Sequence, residues 1–170
     1  MTTTPDTTPG QFDLMFGINV RGTFASTQAC LPHLKKAQNP HVLTMASPLN
    51  MKAHWFKNHV AYTMAKYGMS MCVLGHAEEF RPLGIAVNGL WPRTIIVTAA
   101  LQMIPGVDIS RGRKPEIMAD AAHWVLTQPA KQCTGNFFID EDVLKKAGVN
   151  DFLPYRFDPK KEPAPDIFLD

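Results

Sequence analysis

The chain has 170 residues, 45% of them hydrophobic and 19% charged, with a formal net charge of +2. This composition is typical of one globular domain with a buried core and excludes a disordered or fibrous protein. The small charge and the scattered basic residues also argue against a surface for nucleic acid or for an anionic membrane, so small molecules or other proteins are the expected partners.

The first predicted element is a long helix that begins after Thr8. Residues 8–11, TPGQ, have the form of a capping box with proline at the first helical position. The helix is expected to run to about Leu34, with a kink near Pro32. Asn19 is the most polar residue on one face of this helix.

Short apolar segments alternate with helical segments through the rest of the chain. Strands are predicted over residues 41–46, 85–91 and 136–139, and helices over about 55–81 and 119–127. An alternation of helix and strand builds a parallel sheet with helices on both faces. The predicted fold class is therefore α/β, a doubly wound parallel sheet.

The chain divides into two regions. Residues 1–150 hold all the predicted helices and strands and are expected to form one folded unit. Residues 151–170 contain four prolines and are expected to form a C-terminal tail that is extended and packed on the surface, or partly mobile.

The ligand cleft of such a sheet lies beyond the carboxyl ends of its strands. Ser47 and Pro92 each follow a predicted strand, so both are expected at this cleft. On the helix between them, Tyr62 and Lys66 are four residues apart and share one face. A cation near a phenol lowers its pKa from about 10, which would make Tyr62 a workable general acid or base.

Two further polar side chains could assist this pair. The Ser47 hydroxyl could hydrogen-bond a substrate oxygen and stabilise charge that develops there, and Asn19 could hold a water that relays protons to Lys66. Each residue also has a purely structural interpretation. Tyr62 and Lys66 could be surface residues of a helix, Ser47 a turn hydroxyl before proline, and Asn19 the partner of a neighbouring backbone group.

The functional interpretation is favoured by a resemblance to a known family in the order and spacing of these residues. Asn19 stands in INVRGTF, Ser47 in LTMASP, and Tyr62 and Lys66 in YTMAK, which is followed by VNGLWPRTIIVTAAL. From about Phe12 onward, this ordered set resembles the short-chain dehydrogenase/reductase family. Within that family, FDLMFGINVRGTF, AYTMAKYGMSM, GLWPRT and TGNFFIDEDVL are similar to the hydroxysteroid dehydrogenase-like branch.

The resemblance implies a Rossmann-like fold, of which residues 1–150 are the C-terminal catalytic portion. It also implies an NAD(P)-dependent oxidoreductase that interconverts a carbonyl and a secondary alcohol, with NAD or NADP as cofactor. Tyr62 would exchange the proton, and Lys66 would lower the pKa of Tyr62 and bind the nicotinamide ribose. Ser47 would orient the carbonyl, and Asn19 would support the water relay.

The family pattern implies cofactor contacts after the second predicted strand as well. The expected cofactor-binding residues are Tyr62, Lys66, Pro92, Thr94, Ile95 and Thr98. Members of the family associate through helices of this region, so a homodimer or homotetramer is expected. Neither C-x-x-C nor H-E-x-x-H occurs in the sequence, and no metal site is predicted.

One part of the family pattern is missing from this sequence. Family members hold the cofactor pyrophosphate with a glycine-rich turn, but neither G-x-x-x-G-x-G nor G-x-G-x-x-G occurs among the eleven glycines. The chain is therefore expected to be a fragment of a longer protein. The alternative function is a catalytically silent oligomerisation subunit, or a truncated fragment that cannot hold cofactor alone.

The remaining signals concern the compartment. The N-terminus has no basic region followed by an apolar one, so no secretory signal is expected. No apolar run approaches the roughly 20 residues of a membrane span, and three widely spaced cysteines favour a reducing compartment. A cytoplasmic protein with no membrane partner is expected.

Overall fold

The computed structural model describes residues 1–104 and 106–170; Pro105, in the loop before the predicted helix at 119–127, lies outside the described residues. The helices of eight or more residues are α1 (Pro9–Phe16), α2 (Gly22–Leu34), α3 (Val60–Glu79) and α5 (Glu116–Thr127), and two shorter ones are α4 (Ala99–Gln102) and α6 (Asp140–Lys146). The strands are β1 (His41–Thr44), β2 (Ala86–Trp91) and β3 (Phe137–Ile139).

The three strands form one parallel sheet, in the order β1-β2-β3, within the described residues. His41 of β1 lies opposite Ala86 of β2, and Gly89 of β2 lies opposite Phe137 of β3. Every residue of β2 is buried, as expected for the central strand of a sheet that is covered on both faces. The predicted α/β class with a parallel sheet is therefore confirmed.

Helices cover both faces of this sheet. On one face, Leu90 of β2 belongs to the same buried cluster as Ile117 of α5 and Val143 of α6. On the other face, Val87 shares a buried cluster with Val73 of α3. This arrangement follows from the strand geometry, because odd and even residues point to opposite sides. In the part of the chain that the structure describes, no helix has both the length and the apolar character needed to cross a membrane.

The first helix is interrupted at a place that the sequence did not indicate. Its start is as predicted, since the Thr8 amide donates to Gln11 Oε1 (2.9 Å) and the Gln11 amide donates to Thr8 Oγ1 (3.2 Å). Residues Gly17–Arg21, however, form a π-helical turn between α1 and α2. Pro32, where the kink was expected, lies inside α2 near its C-terminal end.

Several predicted boundaries are wrong for local reasons. The long helix α3 begins at Val60 and not near Trp55, because Asn58 has a left-handed backbone (φ 70°) that no α-helix can include. β1 ends at Thr44, two residues early, because the chain turns and the Ala46 amide donates to the Thr44 carbonyl (2.8 Å).

α6 was not predicted at all. Its acidic first turn and basic last turn match the helix dipole and are the signal that could have found it.

The π-helical turn and α3 come into close contact at Gly68. A Cβ built on Gly68 would lie 2.6 Å from Cγ2 and 3.1 Å from Cγ1 of Val20. Valine is stiff at χ1 in a helix, so it cannot turn aside easily. The absence of a side chain at Gly68 therefore fixes how closely the turn that carries Asn19 approaches the helix that carries Tyr62 and Lys66.

We expect Gly68→Ala not to gain the stability that alanine normally adds to a helix. Gly75 lies on the same helix with open space around its Cα, so Gly75→Ala should stabilise the protein by about 1 kcal/mol. Gly68→Ala should leave the protein about 1–3 kcal/mol less stable than Gly75→Ala, because of the clash with Val20. Urea unfolding followed by circular dichroism measures the difference, and Val20→Ala should remove it. Equal effects of the two glycine substitutions would contradict this description of the contact.

Candidate active site

An aromatic cluster lies beyond the carboxyl end of β2, and its centre is a residue of the C-terminal tail. Phe168 is only 1% exposed. Its ring centroid lies 5.1 Å from Tyr67, 5.7 Å from Trp91, 6.0 Å from Trp55 and 6.4 Å from Tyr62. The backbone of Phe168 is left-handed (φ 72°), which is unusual for a bulky residue and persists only where the surroundings enforce it.

Backbone hydrogen bonds bring the tail to this position. Segment 164–167 runs along the chain that leaves β2, and the isolated antiparallel bridge pairs Thr94 with Pro165. The bonds run from Ile95 N to Ala164 O (3.1 Å), from Asp166 N to Arg93 O (3.0 Å) and from Trp91 Nε1 to Ile167 O (3.0 Å). The tail is thus packed against the predicted cleft, and Phe168 is not on the surface.

Tyr62 and Lys66 lie one helical turn apart on α3 and face this cluster. The Tyr62 ring stacks on Phe168 with an angle of 14° between the planes. Lys66 Nζ lies over the Tyr62 ring, 6.0 Å from its centre, and over the Trp91 ring at 5.5 Å. The structure therefore places both residues near Trp91, which precedes Pro92 at the carboxyl end of β2. This is the edge of the sheet at which the cleft was expected.

The electrostatics of the Tyr62 phenol differ from the expectation. Burial, together with the nearby carboxylate of Asp166, raises the pKa of Tyr62 to about 12. Lys66 was expected to lower this pKa, but its ammonium lies over the ring of Tyr62 and burial is the larger effect. The phenol is consequently held in its neutral form, which can donate a proton.

Burial favours the neutral form of both charged neighbours of Tyr62, which are Lys66 and Asp166. It lowers the pKa of Lys66, and Asp166 partly opposes this change. It raises the pKa of Asp166 to about 6, helped by the negative charge of Asp140 and opposed by Lys66. The three groups Tyr62, Lys66 and Asp166 thus share one poorly solvated environment.

Ser47 is fully buried, and its backbone is attached to α3. Its carbonyl accepts a hydrogen bond from Ser70 Oγ (2.7 Å), one turn beyond Lys66. Among the described residues, the Ser47 hydroxyl itself has no hydrogen-bond partner. A turn hydroxyl would bond the neighbouring backbone; a buried hydroxyl without a protein partner is instead an available contact for a ligand atom.

Asn19 lies in the π-helical turn, a feature that often marks functional positions. Its side-chain amide donates to the Met15 carbonyl (2.9 Å), and its own carbonyl accepts from Thr23 Oγ1 (2.6 Å). The hydrogen bonds of the described residues therefore tie Asn19 to its own helix and not to Lys66. The amide group thus bonds a neighbouring backbone group, and the part of Asn19 in a water relay stays a prediction.

The predicted cofactor residues after β2 differ in burial and in their hydrogen-bond partners. Pro92 follows β2 directly, and Thr94 is buried with a hydroxyl that has no partner within the described part of the chain. The backbone amide and carbonyl of Ile95 bond Ala164 and Arg113. Thr98 is exposed and caps α4, since the Leu101 amide donates to its side chain (3.3 Å).

Two acidic residues near the site were not among the predicted ones. Asp140 is fully buried directly after β3, and its Oδ1 accepts from the amides of Arg93 (2.9 Å) and Glu141 (2.7 Å). Its position after a strand is the same signal that singled out Ser47 and Pro92. Asp166 carries no such signal, because its place depends on the fold of the tail.

This chain is similar to known proteins over its whole length. Residues 1–139 match the family model described as enoyl-(acyl carrier protein) reductase. Over the whole chain, the sequence is 54% identical to hydroxysteroid dehydrogenase-like protein 2 of Danio rerio and 50% identical to that of Homo sapiens. The chain spans 41% and 40% of the lengths of these two relatives.

Solved structures show the same fold. A Xanthomonas campestris protein assigned as a dehydrogenase is 51% identical, with a TM-score of 0.97 over the whole chain, which covers 62% of that protein. A 3-ketoacyl-(acyl-carrier-protein) reductase of Brucella melitensis, complexed with NADH, is 27% identical, with a TM-score of 0.67; the match covers 81% of this chain and 59% of that protein. The predicted Rossmann-like fold and the predicted branch are confirmed, and the chain belongs to the short-chain dehydrogenase/reductase family.

Proposed function

We propose that this chain is the catalytic portion of an NAD(P)-dependent oxidoreductase that interconverts a carbonyl and a secondary alcohol, with Tyr62 as the acid/base group. The observation that carries the proposal is the placement of Tyr62 and Lys66 against the aromatic cluster at the carboxyl end of β2. Ligands bind at this edge of an open α/β sheet. The family assignment supports an oxidoreductase of this kind.

Two buried hydroxyls fit a nicotinamide cofactor and a carbonyl substrate. Ser47 and Thr94 are buried at the ends of neighbouring strands, and within the described residues neither hydroxyl has a partner. Each can donate to a carbonyl or carboxamide oxygen. A bound nicotinamide supplies the hydride, and the relative from Brucella melitensis was solved with NADH. NAD or NADP is thus the proposed cofactor.

Residues of this chain carry out the other steps of the proposed reaction. Ser47 donates a hydrogen bond to the substrate oxygen and orients it. Tyr62, kept neutral by burial, donates a proton to that oxygen as the carbonyl is reduced. Lys66 Nζ lies 6.0 Å from the centre of the Tyr62 ring, and this cation stabilises the phenolate that the transfer leaves behind.

We also propose a homodimer or homotetramer. Large apolar side chains are exposed along α1, α2 and α3, among them Leu14, Phe24, Met64 and Met71. Exposed apolar surface of this kind favours contacts with another protein surface.

Cofactor binding tests the proposal directly. We expect NADH or NADPH to bind this chain weakly, because the sequence holds no glycine-rich turn for the pyrophosphate. Thr94→Val removes one hydroxyl and should weaken binding about 2- to 10-fold, while Thr127→Val, at an exposed position of α5, should leave it unchanged. Tryptophan fluorescence titration measures both. No binding of either nucleotide at millimolar concentration would favour the catalytically silent alternative.

The pH dependence of turnover tests the role of Tyr62. Because the pKa of Tyr62 is raised to about 12, the neutral acid predominates throughout the neutral range and the base is scarce. Reduction of a ketone probe such as acetoacetyl-coenzyme A should therefore be flat between about pH 7 and pH 10, whereas oxidation of the matching alcohol should rise about tenfold per pH unit.

Tyr62→Phe should lower both rates about 100-fold or more. Tyr155→Phe is the control, because the Tyr155 hydroxyl bonds Asp120 on α5 outside the cleft. An oxidation rate that does not change with pH, or an active Tyr62→Phe variant, would rule out this role.

A further inference from the structure

The indole of Trp91, at the end of β2, is held in place from three directions. The backbone of Trp91 pairs with Ile139 of β3. The indole N–H donates to the Ile167 carbonyl (3.0 Å). The Phe168 ring lies 5.7 Å away between centroids, at an angle of 46°. Trp91 is only 6% exposed, so the fold itself fixes the plane of this indole.

One face of the indole is covered by the side chain of Lys66. Lys66 Nζ lies over the Trp91 ring, 5.5 Å from its centre, and 6.0 Å from the centre of the Tyr62 ring. An aromatic face attracts a cation within about 6 Å, and tryptophan does so more strongly than tyrosine or phenylalanine. The attraction increases where water is scarce, and Lys66 is half-buried. Trp91 is therefore the stronger of the two aromatic partners of this ammonium.

The titratable groups near Lys66 have other hydrogen-bond partners. His59, at the start of α3, shares a hydrogen bond between its Nδ1 and Thr63 Oγ1 (2.9 Å). Asp166 Oδ1 accepts from the Ile167 amide (2.7 Å). In the part of the chain that the structure describes, no hydrogen bond or ion pair holds the Lys66 ammonium. Its position therefore depends on the two rings that it covers.

We propose that Trp91 is a positioning residue: its indole face holds the Lys66 ammonium beside the Tyr62 ring, where the cation stabilises the phenolate as it forms. The inference rests on the proposed acid/base function of Tyr62. Packing against Phe168 does not by itself require an aromatic ring, because cores accept other apolar side chains of similar volume. An aliphatic side chain here would attract no cation and would leave the ammonium free to turn away.

The first test needs no substrate. Protons above the face of an aromatic ring resonate upfield, so NMR of the whole chain, labelled with ¹³C-lysine, should show the ε-methylene protons of Lys66 upfield of those of the other lysines. Lys66→Met identifies this signal by its loss. Trp91→Leu should move it most of the way to the ordinary lysine position, and Trp91→Phe should keep part of the shift. An ordinary position in the wild type, or a signal that Trp91→Leu does not move, would overturn the proposal.

The second test separates positioning from a purely structural role. In ketone reduction at one fixed pH, Trp91→Leu should lower kcat about 5- to 30-fold. KM for the ketone should change by less than about twofold, because the ring acts through Lys66 when the phenolate forms. Trp91→Phe should lower kcat only about 2- to 5-fold, since phenylalanine is a weaker partner for a cation. Equal losses of kcat in the two variants, or a change in KM alone, would contradict the proposal.

Trp124→Leu is the matched control. Trp124 lies on α5, on the opposite face of the sheet from α3, and its ring packs against Phe138 (6.4 Å between centroids). Within the described residues, no cation lies over the Trp124 ring. This variant loses an indole from the core as Trp91→Leu does, and its kcat should be unchanged.

Failure of the proposal and failure of the proposed function give different results. An active wild type with the same kcat in Trp91→Leu would overturn the role of Trp91 and leave the proposed function intact. An inactive wild type would count against the proposed function, and the NMR spectrum would still decide whether the indole holds Lys66. If Trp91→Leu does not fold, Trp91→Phe decides, because an unchanged Lys66 shift in that variant would contradict the contact.

Discussion

The site depends on the hydrogen bonds that join the chain after β2 to the C-terminal tail. Three bonds between residues 91–95 and 164–167 hold the tail across the carboxyl edge of the sheet. They place Phe168 at the centre of four aromatic rings, in a backbone conformation that a phenylalanine rarely adopts. Without them, one side of the Tyr62 ring would have no packing partner. The strain at Phe168 is offset by the burial of its ring.

Burial has a second effect at the same place, because it shifts the pKa values of three ionisable groups there. The pKa of Tyr62 and that of Asp166 are raised, and the pKa of Lys66 is lowered. Each shift favours the neutral form. A neutral phenol is suited to give a proton, and a cation beside it can stabilise the phenolate that the transfer leaves. The aromatic rings around Phe168 therefore affect the protonation of these three groups as well as the shape of the site.

Local patterns predicted the parallel sheet, the capping box at Thr8 and the side chains at the strand ends, because each is specified by neighbouring residues. Ser47 was found in this way, and its burial beside α3 follows from the sheet topology. The π-helical turn around Asn19 was not predictable, since it arises where Val20 packs against Gly68 on another helix. The position of Asp166 was not predictable either, because its bonds cross from the tail to β2. Contacts between distant segments have no periodic signal in the sequence.

The packing of Phe168 also bears on how the protein is made. Tyr62 and Phe168 are separated by most of the chain, so their contact closes a long loop. During synthesis, α3 and the first two strands leave the ribosome well before the tail does, and they can collapse with an apolar gap where Phe168 belongs. A nascent chain in this state exposes Trp91 and Tyr67 to chaperones or to other chains. The contacts of Phe168 with these rings can thus form only after residues 164–168 have left the ribosome.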